Sequence, residues 1–244
     1  MSRVGADVQK TLPFSFSIVR SARRRTTSIE VREGRVSVRA PLGVSEQLLT
    51  AFVMEKEAWI RRKISEQQQR LAAVPVREYV DGASLPYLDQ QLVLETATGD
   101  LARVYCREAA EPPVLGVITS RRSRLPAEQQ VRRLVVGWYQ QQALALLTRR
   151  TRLLAERMGL RVGEITVKAT RSRWGQCTIR GDIQYNWQII LAPARIVDYL
   201  VAHEVCHLRH HNHSPAFWAL VEEVCPEWRL SRQWLRANGT QLVL

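Results

Sequence analysis

All five histidines of this 244-residue chain lie between positions 203 and 213. Two of them frame the sequence His203-Glu-Val-Cys-His207. On a helix, residues four positions apart share one face, with Cβ atoms about 5–6 Å apart, so both imidazoles can reach one zinc ion at the usual zinc–nitrogen distance of about 2.0–2.1 Å. Glu204 follows the first histidine and is placed to approach a water on the metal. This His-Glu-x-x-His pattern is typical of zinc hydrolases in which the glutamate is the general base.

A catalytic zinc needs three protein ligands and one open position, so a third donor is expected close to the pair. His213 lies beyond a polar stretch that can end the helix, and Ser214-Pro215 then begins another helix. We therefore favour His213 as the third ligand. Glu222 or Glu223 on the following helix is the alternative, since carboxylates also bind zinc. A group of ordinary structural histidines is the less favoured interpretation.

Hydrophobic patterning divides the chain into a β-rich first part, 1–122, and a second part of helices with two strands, 123–244. In the first part, apolar residues alternate in short runs typical of strands. The sequence therefore predicts an α+β fold in which a helix of the second part carries the His-Glu-x-x-His motif. The main predicted elements are helices over 44–70, 127–158 and 196–209 and strands over 165–169 and 183–191.

The strand predicted over 183–191 has an apolar side and a polar side. The polar side carries Gln184, Asn186 and Gln188. A half-buried strand of this kind could offer its backbone or its amides to a ligand at a sheet edge. A polar face turned to solvent would give the same pattern.

The composition is that of a basic, folded protein. Hydrophobic residues make up 45% of the chain, which excludes a disordered tail, and 36 Lys and Arg against 23 Asp and Glu give a net charge of +13. This balance favours polyanions or acidic surfaces as partners, although an arginine-rich proteome gives the same count.

Four scattered cysteines without a C-x-x-C pair argue against a disulfide framework or a zinc ribbon. No signal segment or membrane-spanning apolar run is found, so we expect a cytoplasmic protein without a membrane partner.

Five motifs carry a family resemblance: Arg173-Trp-Gly-Gln-Cys177, Ile183-Gln-Tyr-Asn-Trp187, Ile196-Val-Asp-Tyr-Leu200, His203-Glu-Val-Cys-His207 and Asn212-His-Ser-Pro-Ala-Phe-Trp218. Through them the chain resembles the YgjP-like metallopeptidase-fold proteins, which are related to the SprT-like and WLM zinc proteins. The resemblance covers about residues 14–235 as one unit. The chain departs from the family pattern at Gln176, where a serine is usual, and at Asp89, where a glycine is common.

The resemblance implies a zincin-like catalytic half in which His203, His207 and His213 bind Zn²⁺ and Glu204 acts as general base. It also implies an edge strand beside the site, which the polar side of 183–191 would fit. Family members are named metallopeptidases largely from their fold, and nucleotide pyrophosphatase activity has also been assigned in the family.

Three functions follow as hypotheses, and a zinc-dependent metallopeptidase is favoured. Its candidate substrate-binding residues are Arg173, Trp174 and Asn186, with a peptide strand pairing near Asn186 and with Trp174 or Tyr185 as a pocket wall. The first alternative is a pyrophosphatase for UTP-type nucleoside triphosphates that uses the same metal, with Arg171 and Arg173 as the phosphate clamp. The second alternative is a nucleic-acid-associated, SprT-like protein whose phosphate contacts would come from Arg20, Arg23, Arg24, Arg25, Arg121, Arg122 and Arg124.

Overall fold

The computed structural model of the chain describes residues 12–32, 34–72, 74–170 and 172–244. Packing divides the chain into two compact units, 1–74 and 75–244. Each unit buries a separate cluster of hydrophobic side chains, so each has its own core.

The first unit consists of a three-stranded sheet and two helices. The helix predicted over 44–70 is interrupted, because the backbone leaves helical geometry at Lys56 (φ −96°, ψ 8°). The core comprises alternate residues of one strand and apolar residues of the helices, namely Val36, Val38, Ala40, Leu49, Val53 and Ile60. The elements are β1 (Phe16–Arg20), β2 (Ser28–Arg32), β3 (Arg35–Ala40), α1 (Glu46–Glu55) and α2 (Glu57–Ala72), with the strand order β1-β3-β2.

The second unit opens with a four-stranded sheet that packs against a long helix. The strands are β4 (Ser84–Tyr87), β5 (Gln90–Gly99), β6 (Arg103–Arg107) and β7 (Val114–Ser120), in the order β4-β5-β7-β6. Helix α3 (Ala127–Arg157) confirms the helix predicted over 127–158. The hydroxyl of Tyr139 in α3 donates to the carbonyl of Pro86 in β4 at 2.9 Å. In the described part of the chain, no helix is both long enough and apolar enough to cross a membrane.

Helix α3 and the four-stranded sheet share one core. Leu92, Leu94 and Leu115 of the sheet cluster with Val135 and Tyr139 of the helix. The boundary expected from the sequence, between residues 122 and 123, therefore falls inside the second unit, in the connection from β7 to α3. The hydrophobic pattern changes from strand to helix at that point, but the core continues across it.

A small sheet and three helices complete the second unit. Its strands lie in the order β8-β10-β9, with β10 parallel to β8 and antiparallel to β9. The fold is α+β, with strands concentrated in the N-terminal part and helices in the C-terminal part, as the sequence predicts. The elements are β8 (Ile165–Lys168), β9 (Gly175–Cys177), β10 (Ile183–Asn186), α4 (Ala194–Cys206), α5 (Pro215–Val224) and α6 (Trp228–Asn238).

The strand predicted over 183–191 is wrong in its second half. Only the first half is a strand, β10, and Trp187–Leu191 form a 3-10 helix. The side chain of Asn186 caps this helix by accepting a hydrogen bond from the amide two residues on, at 3.1 Å. Ile189 and Ile190 are both fully buried. Because this turn is buried, its residues are apolar, and in the sequence they look like a continuation of the strand. Because β10 is the central strand of its sheet, the edge expected at this segment is also wrong, and the edges are β8 and β9.

Candidate metal centre

Helix α4 places His203 and His207 one turn apart near its C-terminal end, with imidazole centroids 4.8 Å apart. Its apolar residues are buried in the core of the second unit, which fixes the orientation of the helix. Pro193 at the N-cap makes no side-chain cap. Instead, both carboxylate oxygens of Asp89 lie 3.3 Å from the amide of Ala194 and accept its hydrogen bond. A carboxylate at this end also interacts favourably with the helix dipole, so Asp89 supports the helix that carries the histidines.

His213 approaches the pair from the loop between α4 and α5. Ser214 caps α5 by accepting a hydrogen bond from the amide of Phe217 at 3.4 Å, which fixes the chain next to His213. Nε2 of His213 lies 3.1 Å from Nε2 of His203, and the ligand atoms of the three histidines all lie within 4.8 Å of one another. Two nitrogens on one tetrahedral zinc, each at about 2.0–2.1 Å, would be about 3.3 Å apart. The three histidines could therefore hold one metal ion.

The two glutamates considered as alternative ligands do not join this group. Glu222 is exposed and pairs with Arg229, whose hydrogen bond lowers the pKa of that carboxyl. Glu223 is also exposed. Among the described residues, the metal-compatible group contains the three histidines and no carboxylate.

The ring nitrogens of the pair on α4 are in the state that binds a metal. Nδ1 of His207 lies 2.9 Å from the carbonyl oxygen of His210. Because a carbonyl can only accept, this nitrogen is the donor and Nε2 keeps its lone pair. Burial lowers the pKa of His203 to about 3, with smaller effects from the charges of His207, His213 and Arg232, and burial also lowers the pKa of His207. Both rings are thus neutral at pH 7, as metal ligands must be.

The carboxyl of Glu204 is buried next to His203 in α4, with 3% of the residue exposed. Burial raises its pKa to about 8, and Oε2 has no hydrogen-bond partner among the described residues. A buried polar atom without a partner is rare in proteins and marks a place for a water, an ion or a substrate. On its other side the carboxyl meets β9, since a Cβ on Gly175 would lie 2.2 Å from Oε1. Only glycine lets the strand come this close.

Aromatic side chains of α5 enclose the imidazoles. Phe217 stacks on His207 with ring centroids 4.4 Å apart, and Trp218 stacks on His213 at 5.5 Å with an interplanar angle of 20°. Trp218 in turn stacks on Trp228 at 4.2 Å. Nothing in the residue spacing predicted a role for these rings. Their place in the first turn of α5, directly after the His213 loop, is the signal that could have found them.

The three candidate substrate-binding residues lie around β9 and β10. Arg173 is exposed just before β9 and donates from Nη1 to Oε1 of Gln176. Trp174 is half-buried, and its carbonyl accepts from the amide of Asn186 at 2.7 Å. Asn186 is buried, and its side-chain amide donates to the carbonyl of Thr170 at 2.9 Å. Asn186 therefore ties the segment before β9 to the end of β10.

Tyr185 and two of the arginines named from the sequence have hydrogen-bond partners other than the histidines. Tyr185 is fully buried with its hydroxyl 2.8 Å from that of Thr151, so the expectation that it walls a pocket is wrong: its ring belongs to the core. Arg171 lies outside the described residues. In the first unit, Arg20 and Arg24 donate to backbone carbonyls near them.

Of the comparisons with known proteins, the one with protein families is informative for this chain. No curated protein matches the chain. The metallopeptidase zymogen of Pyrococcus abyssi abylysin is a similar solved structure, with 18% identity and a TM-score of 0.34 over 38% of this chain and 92% of that one. The YgjP-like metallopeptidase domain matches residues 25–238, which is most of the chain. The chain that carries these three histidines therefore belongs to the YgjP-like metallopeptidase family.

Proposed function

We propose that this chain is a zinc-dependent metallopeptidase that hydrolyses peptide bonds with Glu204 as general base. The observation that carries the proposal is the group of three imidazole ligand atoms within 4.8 Å of one another, with the buried carboxyl of Glu204 next to His203. Membership of the YgjP-like metallopeptidase family supports the metallohydrolase class. Three histidine ligands with a fourth position left open are typical of catalytic zinc, whereas structural zinc takes four protein ligands.

His203, His207 and His213 would hold the metal through ring nitrogens. When bound, zinc would supply Lewis acidity, which polarises a carbonyl oxygen and lowers the pKa of a water to about 7. The hydrogen bond from Nδ1 of His207 to the carbonyl of His210 would orient that ring and raise its basicity as a ligand.

Glu204 would move the proton of hydrolysis. Its carboxylate accepts a proton as the water oxygen adds to the scissile carbonyl carbon, and the proton then passes to the amine nitrogen as the C–N bond breaks. Oε2 is suited to this step because it is buried without a partner among the described residues. The contact with Gly175 would keep the other oxygen of the carboxyl in place.

An extended peptide could bind along β9. Within the described residues β9 pairs only with β10, so its outer edge keeps backbone groups available, and strand addition at such an edge is a common mode of peptide binding. Gly175 begins β9 and lies against Glu204. A peptide on this edge would therefore lie close to the carboxyl that moves the proton.

The Glu204→Gln variant tests this function. The protein is stripped of metal, reloaded with zinc and incubated with a mixture of peptides whose cleavage is followed by mass spectrometry. We expect wild type to cleave peptides and Glu204→Gln to bind zinc equally but to lose about 10²–10⁴-fold in kcat, the usual contribution of a general base. The matched control is Glu223→Gln, which changes an exposed glutamate of α5 and should cleave as wild type does.

Full activity in Glu204→Gln, or no cleavage of any peptide by the zinc-loaded wild type, would contradict the proposal. A parallel assay with UTP measures pyrophosphate release. Release from UTP without peptide cleavage would replace the peptidase by the pyrophosphatase hypothesis.

A further inference from the structure

Arg232 lies on α6 next to the aromatic side chains that enclose the metal centre. Its guanidinium carbon is 4.9 Å from the centroid of the Trp218 ring. Trp218 lies 5.7 Å from His203 and 5.5 Å from His213, centroid to centroid. One indole therefore links the guanidinium to two of the three histidines.

Arg232 differs from its neighbour Arg229 in its lack of a carboxylate partner among the described residues. Arg229 lies one turn earlier on α6, with its guanidinium carbon 4.7 Å from the Trp228 ring, and it pairs with the carboxylate of Glu222. Arg232 has the same kind of stacking on Trp218 but is exposed and has no carboxylate partner among the described residues. A guanidinium held on an indole face keeps N–H groups free for bidentate binding of a carboxylate.

We infer that Arg232 binds a carboxylate of the peptide substrate within two or three residues of the cleaved bond. The inference rests on the proposed peptidase function and adds a substrate class: acidic peptides, or peptides whose C-terminal carboxylate lies that close to the bond. The two contact distances place the guanidinium carbon at most about 11 Å from the centre of the His203 ring. That is about three residues of an extended peptide, which advances about 3.3 Å per residue.

Matched peptide pairs test the inference. Each pair differs by Glu or Gln at one position of a peptide that the zinc-loaded protein cleaves, and a second set compares a free C-terminal carboxylate with an amide. We expect wild type to prefer the carboxylate at one position by about tenfold in kcat/KM, which is what one hydrogen-bonded charge pair gives. Arg232→Gln should remove this preference, and the readout is the ratio of kcat/KM within each pair, because Arg232 also contacts Trp218 and its loss can change the rate on both peptides alike. The set in which the preference appears identifies the source of the carboxylate.

Arg229→Gln is the matched control, because it removes one positive charge and one stacked guanidinium from the same helix. It should keep the full preference. If it loses as much preference as Arg232→Gln, the general positive charge of the protein is responsible and the inference is overturned. Wild type that does not distinguish any pair, or Arg232→Gln that still does, overturns it equally.

A binding measurement distinguishes a failure of this inference from a failure of the proposed function. The same labelled peptide pairs are titrated into zinc-loaded Glu204→Gln protein and into the double variant with Arg232→Gln, with fluorescence anisotropy as the readout. We expect the Glu or free-carboxylate peptide to bind about tenfold more tightly, and only when Arg232 is present. This preference without any peptide cleavage by wild type would reject the peptidase and keep the carboxylate site. Cleavage without this preference would reject the carboxylate site and keep the peptidase.

Discussion

His213 is the exposed member of the three histidines, and it lies in a loop between two helices. Its ring is stacked on Trp218, and Trp218 is stacked on Trp228. An imidazole in a loop loses rotational freedom when it binds a metal, and a ring already held in place loses less. Trp218 therefore restricts the ring of His213, which the proposed function makes the third ligand.

We expect Trp218→Leu to weaken zinc binding by about 10–100-fold, the range found when residues that orient metal ligands are changed. Trp218→Phe keeps an aromatic face and should recover most of the affinity. Competition with a chelator measures the affinity of each variant. Trp138→Leu is the control, because Trp138 packs on Tyr87 and Tyr139 away from the histidines. Equal zinc affinity in wild type and Trp218→Leu would show that Trp218 does not position the ligand.

Between elements, the contact of β9 with α4 is what brings Gly175 against Glu204. A methyl group on Gly175 would lie 2.2 Å from Oε1 and 2.5 Å from Cδ of the glutamate, so one of the two elements must move. We expect Gly175→Ala to lower the free energy of unfolding by about 1–3 kcal/mol, the usual cost of overpacking. We also expect kcat to fall at least tenfold, because the carboxyl is displaced.

Urea denaturation and the peptide assay measure both effects of Gly175→Ala. Gly137→Ala is the matched control, since a Cβ at Gly137 in α3 meets nothing within 4 Å. In a helix interior that change should stabilise the protein by about 0.5–1 kcal/mol and leave hydrolysis unchanged. A Gly175→Ala protein as stable and as active as wild type would show that the approach of β9 to Glu204 has no functional role.

Spacing within one element could be predicted from the sequence, whereas contacts between elements could not. The histidine pair depends on helical spacing within one element, and His213 lies in the loop directly after it, so local pattern was sufficient to predict that all three lie close together. The partners of Gly175 and Asn186 come from other segments, and nothing in the spacing of apolar residues indicates them. Strand order is also a property of the whole sheet, which is why the edge expected at 183–191 proved to be its central strand.

Across the whole molecule, the two cores divide the chain differently from the hydrophobic pattern. The pattern changes near residue 122, whereas the core of 75–244 includes both the strands before that point and the helices after it. All three histidines, Glu204 and the rings that enclose them belong to this second unit. The stability of the metal centre should therefore follow the second core.

Core truncations in the two units test this assignment. Ile60 in the first core and Leu147 in the second are both fully buried, and Ile or Leu to Ala at such sites costs about 2–5 kcal/mol. We expect Ile60→Ala to increase hydrogen exchange in 12–72 while zinc affinity stays at the wild-type value. Leu147→Ala should increase exchange in 75–244, and added zinc should reverse part of that increase, because a ligand that binds only the folded state stabilises it. Mass spectrometry measures hydrogen exchange, and competition with a chelator measures zinc affinity. Weaker zinc binding in Ile60→Ala than in Leu147→Ala would contradict the assignment, because the stability of the metal centre would then depend on the first core.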